Sequence, residues 1–284
     1  MNNPIPKRHH YLPEMLQKRF ADKNGALWFF DKNRPERGII ASKPGNIFVE
    51  GHLYSIVEAD GSKDVSVEVF YSRIESLADP IVERIVLAAR EGRNPDLSPE
   101  EFSIWCHFFY YQQKRVPDFY SKLEDLQKFP QRLEEAIAEY EAEFGRIPAE
   151  IRERFNAPNE IERMRKNAIV RSLATPGEMI LDVLHSRGIV IAIPKQKSKS
   201  FLLGSYPTAR LGTRNGSSLD NPEVELWLPI ASDVAISPFG APGEFKIVFL
   251  DDQHVRHVNK EIFRRSTMAA SRSKALIGSL CDQR

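Results

Sequence analysis

The sequence has few cysteines and no long apolar run. Its 284 residues include two cysteines, Cys106 and Cys281, which excludes a disulfide scaffold or a cysteine-rich zinc site and indicates a reducing compartment. No stretch approaches the roughly 18 apolar residues of a membrane-spanning helix. Residues 1–10 lack the apolar core of a secretion signal. We therefore expect a cytoplasmic protein that does not associate with a membrane.

Common catalytic motifs are also missing. The chain has no Walker loop, no glycine-rich dinucleotide motif, no H-E-x-x-H and no C-x-x-C. Aromatic residues are plentiful by contrast, with 17 Phe, 8 Tyr and 3 Trp. This supply of large apolar side chains is sufficient for a packed core and excludes wholesale disorder.

The charge is nearly balanced overall but unevenly distributed. The formal net charge is +1, whereas residues 1–37, 193–214 and 253–284 carry +4, +5 and +5, which leaves −13 on the remainder. Such asymmetry indicates an anionic partner if the three basic segments meet in space. The alternative interpretation is a set of solvated cations on loops beside an acidic helical layer.

The pattern of apolar residues divides the chain into three zones. Residues 1–63 combine a short helix with extended segments, residues 64–187 show helical spacings, and residues 188–284 switch to short β-rich runs followed by a helix over 253–269. We expect a single α+β domain. Its mixed sheet is built from the N- and C-terminal zones, with a large central helical insertion and a C-terminal helix. This arrangement would bring the three basic segments together.

The helical zone contains recognisable start and stop signals. Ser98–Glu101 is typical of a capping box that opens a helix ending before Pro117. An apolar stripe predicts a helix over 67–77, and a new helix is predicted to begin at Pro80. A later helix is predicted to break near Pro158.

The first candidate functional residues lie at the N-terminus. Lys7, Arg8, His9 and His10 immediately precede a predicted helix start, where free backbone N–H groups favour an anion. Two imidazoles there could supply a general base, bind phosphate or ligate a metal. Adjacent residues of an extended segment point to opposite faces, so only one histidine can face a site. The alternative is a basic arm with one histidine packed and one solvated.

The second candidate is a polar pair on the capped helix. The apolar line through Trp105 and Phe108 continues into Gln112 and Arg115, and polar groups at core positions need partners. They could orient a substrate and its phosphate, or Arg115 could cap the end of its own helix. Both interpretations stay open. Cys106 is expected in the core.

Several segments resemble an uncharacterised bacterial domain family. Its opening Lys-x-His-His-Tyr-x-Pro is similar to Lys7–Pro13, which is followed by Arg19-Phe20, and its Gln-x-x-Arg-x-Pro segment is similar to Gln112–Pro117. Its C-terminal third resembles Pro222–Pro229 together with Asn259 on the terminal helix. The resemblance spans most of the chain and implies a shared fold and a bacterial origin, but it implies no activity.

One segment departs from the family pattern. Family members often show Ser-Asp-Asn-Pro near the C-terminal strands, whereas this chain has Gly204–Pro207 with Ser205 in place of the carboxylate. If that carboxylate acts as a ligand or base in relatives, this protein would be altered or inactive. The candidate substrate-binding residues are then Lys7, Ser205, Asn259 and Lys260.

These observations favour a hydrolase-like enzyme acting on a phosphate-containing substrate, such as a nuclease effector of a bacterial defence or toxin system. His9 or His10 would act as the general base or a metal ligand, Arg115 would hold the phosphate, and Gln112 would orient the substrate. Lys7 and Lys260 would steer the anion. A divalent metal is one cofactor that such a site could take. The rival hypothesis is a non-catalytic module that recognises nucleic acid or a partner protein through the basic face. The oligomeric state stays open.

Overall fold

A computed structural model describes residues 8–121, 128–212, 221 and 224–282. Within the described residues, the N-terminal zone contains one short α-helix, a single 3-10 turn over Pro35–Arg37 and six short strands. Their bounds are β1 Arg8–His10, α1 Glu14–Arg19, β2 Leu27–Asp31, β3 Ile40–Ser42, β4 Val49–Gly51, β5 Ile56–Val57 and β6 Lys63–Asp64. The expected mixture of a short helix and extended segments is confirmed.

The middle of the described chain is helical, as the spacing of apolar residues predicts. The helices are α2 Ser66–Glu91, α3 Pro99–Lys114, α4 Pro117–Tyr120, α5 Phe129–Phe144, α6 Ala149–Asn156, α7 Pro158–Ala174 and α8 Glu178–His185. The capping box is confirmed, because Ser98 accepts from the Glu101 N–H at 3.2 Å and the Glu101 carboxylate accepts from the Ser98 N–H at 2.8 Å. The break at Pro158 separates α6 from α7.

The last zone is rich in strands. Its elements are β7 Ile189–Pro194, β8 Leu203–Gly204, β9 Ala209–Leu211, β10 Glu225–Ala231, β11 Val234–Pro238, β12 Phe245–Leu250, α9 Asp252–Arg265, β13 Met268–Ser271 and α10 Lys274–Cys281. Five of the strands form one sheet in the order β12-β7-β11-β10-β9, in which β12 and β7 run parallel. A second sheet has the order β3-β2-β13-β8.

The second sheet joins the two ends of the chain. β13 lies between β2 and β8, and its register pairs Met268 with Asp31 and Ala269 with Gly204. α9 packs against β8 and β9. The mixed α+β fold with a central helical region and a helix near the C-terminus is therefore confirmed. Parts of the three basic segments are therefore neighbours. The first segment contributes β2, the second contributes β8, and the third contributes β13 and most of α9.

Three local predictions were wrong. α2 does not restart at Pro80 but runs through it, because the buried residues on both sides of the proline belong to one continuous face. Leu77, predicted in the apolar stripe, is 47 % exposed, since the buried face follows Val67 and Tyr71 instead. The helix predicted over 253–269 ends at Arg265, and β13 begins at Met268, within the predicted helix.

Candidate functional site

α3 carries an arginine into the interior. Trp105 and Phe108 are buried on one face of this helix, and the same face continues through Gln112 to Arg115. Arg115 is 1 % exposed. A charged group this deep needs compensating partners, since isolated burial of a charge is very costly. The polar pair predicted from the sequence is therefore held in the core beneath the N-terminal segment.

Arg115 is held by three of its neighbours. Its Nε donates to the Tyr11 carbonyl at 3.0 Å, and its Nη1 donates to Glu75 Oε1 at 2.6 Å. The guanidinium also lies over the Tyr71 ring, 5.0 Å from its centroid. The remaining Nη2 has no hydrogen-bond partner within the described part of the chain. The arginine thus keeps one unused donor inside the protein.

Glu68 brings a carboxyl group to the same interior. It lies on α2 two turns before Glu75, and its Oε2 is 3.6 Å from His9 Nδ1. Burial is the main cause that raises the pKa of Glu68 to about 7; the charge of Arg115 opposes this rise and that of Glu75 adds to it. Its Oε2 is buried and lacks a hydrogen-bond partner among the described residues. This carboxyl therefore titrates near neutral pH.

His9 faces the interior and His10 does not, as the alternation along an extended segment requires. In the β1–β4 pair His9 lies opposite Glu50, and its ring is fully buried and stacked on Tyr54 with centroids 5.8 Å apart. His10 Nε2 lies 2.9 Å from the Gly45 carbonyl. The two imidazoles are thus on separate faces of one strand.

The contact between His9 and Glu68 is not an ion pair. The Tyr54 backbone N–H donates to His9 Nδ1 at 3.0 Å, so this nitrogen acts as an acceptor and carries no proton. An acceptor lone pair 3.6 Å from Glu68 cannot neutralise a carboxylate. This geometry agrees with the raised pKa of Glu68, because His9 does not stabilise the ionised form.

Tyr54 connects the histidine to the arginine. Its backbone N–H contacts His9, and its hydroxyl donates to the Arg115 carbonyl at 3.0 Å. The structure therefore brings together His9, Glu68 and Arg115 around one buried tyrosine. We call Tyr54 and these three residues the polar core cluster.

Gln112 lies one turn before Arg115 and is 1 % exposed. Neither its amide oxygen nor its amide nitrogen has a hydrogen-bond partner within the described residues. A buried amide without partners costs roughly 1–3 kcal/mol, so the site favours a water molecule or a ligand atom beside it.

Ser205 lies in a different cluster. Its hydroxyl donates to Asp118 Oδ2 and accepts from the Met268 N–H at 2.9 Å. The same carboxylate accepts from the Thr267 N–H at 2.8 Å and is 5 % exposed. A carboxylate thus does reach this turn, but Asp118 supplies it from α4 rather than from the turn itself. The cluster ties α4 to the β8–β13 region.

The predicted anion-binding residues are dispersed. Asn259 is buried on α9 and uses its amide on the backbone, accepting from the Leu202 N–H at 3.0 Å and donating to the Ser200 carbonyl at 2.9 Å. Lys260, the next residue, is exposed. Lys7 lies outside the described residues.

Sequence reasoning missed Glu68, Tyr54 and Asp118. The sequence does contain a pattern that points to Glu68. Glu68, Tyr71 and Glu75 recur at helical spacings of three and four and therefore share one face of α2. Asp118 directly follows the Gln-x-x-Arg-x-Pro segment. No sequence pattern identifies Tyr54, because its role depends on a contact between distant segments.

Among the described residues, no group of three or more His, Cys, Asp or Glu side chains is arranged to hold a metal ion. The same part of the chain contains no helix with the length and apolarity needed to span a bilayer. Cys106 is buried as expected, and burial raises the pKa of its thiol to about 12. This thiol is therefore protonated at neutral pH.

Comparisons with known proteins identify the family but no activity. No curated protein and no solved structure matches the chain. The family described as protein of unknown function (DUF4238) matches residues 8–274, which include the whole polar core cluster and the Asp118–Ser205 contact. Because this match covers nearly the entire chain, the protein belongs to the DUF4238 family.

Proposed function

We propose that the protein is a phosphoester hydrolase acting on nucleic acid, with Glu68 as its acid–base group and Arg115 as its phosphate ligand. The observation that carries the proposal is a carboxyl with a pKa of about 7 beside an arginine that has an unused Nη2 donor. Acid–base catalysis is most effective when the pKa of the catalytic group lies near the working pH. Perturbed carboxyl groups with a specific charged neighbour are concentrated at functional sites.

The geometry suggests a role for each side chain. Ionised Glu68 would accept the proton of the attacking water as the new P–O bond forms, and would return it to the leaving oxygen as the ester bond breaks. Arg115 Nη2 would bind the phosphoryl oxygens, whose negative charge grows in the transition state. The amide of Gln112 would orient the phosphate. His9 would position Tyr54 rather than transfer a proton.

Access to the cluster is part of the proposal. The side chain of Glu68 is 17 % exposed and that of Glu75 is 25 % exposed, whereas Arg115 is 1 % exposed. A substrate would therefore approach past the two carboxyl groups of α2, and binding would need an opening between α2 and β1. Such opening on substrate binding is common in enzymes that exclude water.

A second candidate function is favoured by a separate observation. The three basic segments meet around α9: Lys32 from the first donates to the Phe263 carbonyl, and Arg265 donates to the hydroxyl of Tyr206 from the second at 2.7 Å. A non-catalytic module that binds nucleic acid or an acidic partner protein through this face would need no open catalytic site. The burial of Arg115 and Gln112 also supports this alternative.

A cleavage assay separates the two functions. Full-length protein would be incubated with labelled RNA and DNA, with and without Mg²⁺ or Mn²⁺, beside the variant Glu68→Gln. We expect wild-type turnover and a loss of at least about 100-fold in Glu68→Gln, since a general base contributes about 10²–10⁴-fold. Glu100→Gln is the matched control, because Glu100 is an exposed glutamate at the start of α3.

The outcomes discriminate clearly. Absence of turnover in the wild type would contradict the hydrolase, and equal turnover in wild type and Glu68→Gln would contradict the role of Glu68. Salt-sensitive retention of nucleic acid without cleavage would support the binding module instead.

The pH profile gives an independent check. Because Glu68 must be ionised to accept a proton and its pKa is about 7, we expect the rate to rise with pH up to about 7 and then level off. A rate that is already maximal at pH 5 would contradict the role of Glu68.

A further inference from the structure

A cleft of about 550 Å³ opens between α9, α10 and the loop before β8. It lies among the C-terminal elements and shares no lining residue with the polar core cluster. Its lining combines buried apolar side chains, serine hydroxyls, two cations and the carboxylate of Asp252. The residues that carry the argument are Ser198, Lys199, Val255, Arg256, Ser273 and Leu280.

The two cations in the cleft differ in their availability. Lys199 Nζ lies 3.1 Å from Asp252 Oδ2, so its charge is already compensated. Arg256 is exposed and forms neither an ion pair nor a hydrogen bond with any residue that the structure describes. Arg256 is thus the cation that the cleft offers to a ligand.

Hydroxyl groups surround the same space. Ser273 Oγ accepts from the Leu276 N–H at 3.2 Å, which leaves the hydroxyl hydrogen free to donate. Ser198 also lines the cleft. Hydroxyl and guanidinium donors together form the kind of surface that binds phosphate oxygens.

The walls of the cleft are fixed by the fold. Asn259 bonds to the backbone of Ser200 and Leu202, which holds the loop against α9. Val255 and Leu280 are 3 % and 4 % exposed and form an apolar floor. The cleft therefore combines a preformed apolar surface with a few polar groups, as ligand sites of about 300–1,000 Å³ usually do.

We propose that this cleft binds a small phosphate monoester. Arg256 holds the phosphate with its planar donor pair, and Ser273 donates a further hydrogen bond. The uncharged part of the ligand lies against Val255 and Leu280. One uncompensated cation matches one phosphate group, and the volume matches a ligand of mononucleotide size. The assignment is independent of the proposed hydrolase site.

Calorimetric titration of the full-length protein tests the proposal. The probes are adenosine 5′-monophosphate, glucose 6-phosphate, inorganic phosphate and uncharged adenosine. We expect adenosine 5′-monophosphate to bind in a 1:1 ratio and more tightly than inorganic phosphate, and adenosine not to bind. Arg256→Gln should weaken the affinity for the nucleotide by at least about tenfold, because it removes a charged hydrogen bond. Tighter binding of glucose 6-phosphate would keep the phosphate assignment and identify a sugar as the uncharged part.

Arg264→Gln is the matched control. It removes the same charge from the same helix, but Arg264 is 71 % exposed, pairs with Glu261 and does not line the cleft. This variant should keep wild-type affinity. Absence of binding of both phosphate monoesters to the wild type, equal weakening in both variants, or binding of adenosine as tight as that of its monophosphate would each overturn the proposal. None of these results depends on whether the protein cleaves nucleic acid.

Discussion

A carboxyl group and a guanidinium share the interior between α2 and α3, and they differ in how well the fold compensates their charge. Arg115 has Glu75, the Tyr11 carbonyl and the Tyr71 ring. Glu68 has no partner for its inner oxygen among the described residues. The arginine is therefore expected to support the fold, whereas the ionised form of Glu68 is expected to oppose it.

The substitution Arg115→Met should lower the free energy of unfolding by about 3 kcal/mol. Removing one member of a buried ion pair strands the other, here Glu75, and also frees the Tyr11 carbonyl. Urea denaturation measures the loss. The double variant Arg115→Met with Glu75→Gln should recover part of it, because the stranded charge is gone. A loss below about 0.5 kcal/mol in the single variant would contradict a structural role.

Glu68 should make the protein less stable as the pH rises. Its pKa is about 7 in the folded protein and 4.5 without the fold, so the folded state binds more protons between these values. The favourable contribution of protonated Glu68 to the free energy of unfolding is complete below about pH 4.5 and is lost as the pH rises through about 7. After allowance for solvent screening, we expect Glu68→Gln to gain about 1–2 kcal/mol over wild type between pH 5 and 8. Thermal melts of wild type and Glu68→Gln at pH 5 and at pH 8 measure this gain. A stability difference between the two proteins that is the same at both pH values would contradict the prediction.

At the residue scale the sequence predicted part of the site. The periodicity of apolar residues determines which face of α3 is buried. Gln112 and Arg115 are polar residues on that face, and the sequence identified them for this reason. It also placed one histidine of the adjacent pair inside. It did not identify Glu68, since an acidic helix offers many glutamates and only tertiary contacts determine which of them is desolvated. The roles of these residues in catalysis stay predictions.

At the scale of elements, α2 shows how packing outweighs a local signal. Pro80 lacks the N–H that would bond to the Ser76 carbonyl, and its ring crowds the preceding turn. The helix nevertheless continues, since Ala78, Ile81 and Val82 all bury their side chains against the core. A proline at a helix start and a proline inside a long helix look alike in a single sequence.

Pro80→Ala should therefore stabilise the protein by about 1–3 kcal/mol, because alanine restores the missing hydrogen bond and removes the steric conflict. Chemical denaturation provides the measurement. Pro99→Ala is the control and should give no gain, since Pro99 occupies the first position of α3, where no hydrogen bond is lost. A destabilised Pro80→Ala variant would contradict this account of the proline.

β13 illustrates a different failure of sequence reasoning. Met268–Ser271 contains small residues and no β-branched residue, so it lacks the composition of a strand. It forms one because β2 and β8 flank it and satisfy its backbone groups. The strands β7, β10, β11 and β12 lie in the zone where the sequence predicts short β-rich runs, because their apolar content is high.

At the scale of the whole molecule, the helical zone contains a pair of helices that contributes no residue to the main apolar core. α5 and α6 are held to each other by Arg152, which bonds to Glu134 at 3.2 Å and to Glu141 at 2.7 Å. Ile137, buried in α5, is not part of the main apolar core, and α6 buries none of its residues. This pair is therefore expected to contribute little to global stability.

Replacing residues 129–156 with a Gly/Ser linker should leave a single cooperative thermal transition and lower the free energy of unfolding by less than about 1 kcal/mol. Differential scanning calorimetry gives both quantities. Replacing residues 268–271 in the same way should abolish the transition, because β13 is central to its sheet. Loss of cooperativity in the first variant would show that the helical pair is integral to the fold.

The central position of β13 also determines when the protein can fold in the cell. β2 leaves the ribosome about 240 residues before its partner strand, which at about 5–20 residues per second is a delay of roughly 10–50 s. During translation the β13-facing edge of β2 has no native partner, so a nascent chain exposes it to chaperones and proteases. The sheet that joins β2 to β13 is therefore completed only after residue 271 has left the ribosome.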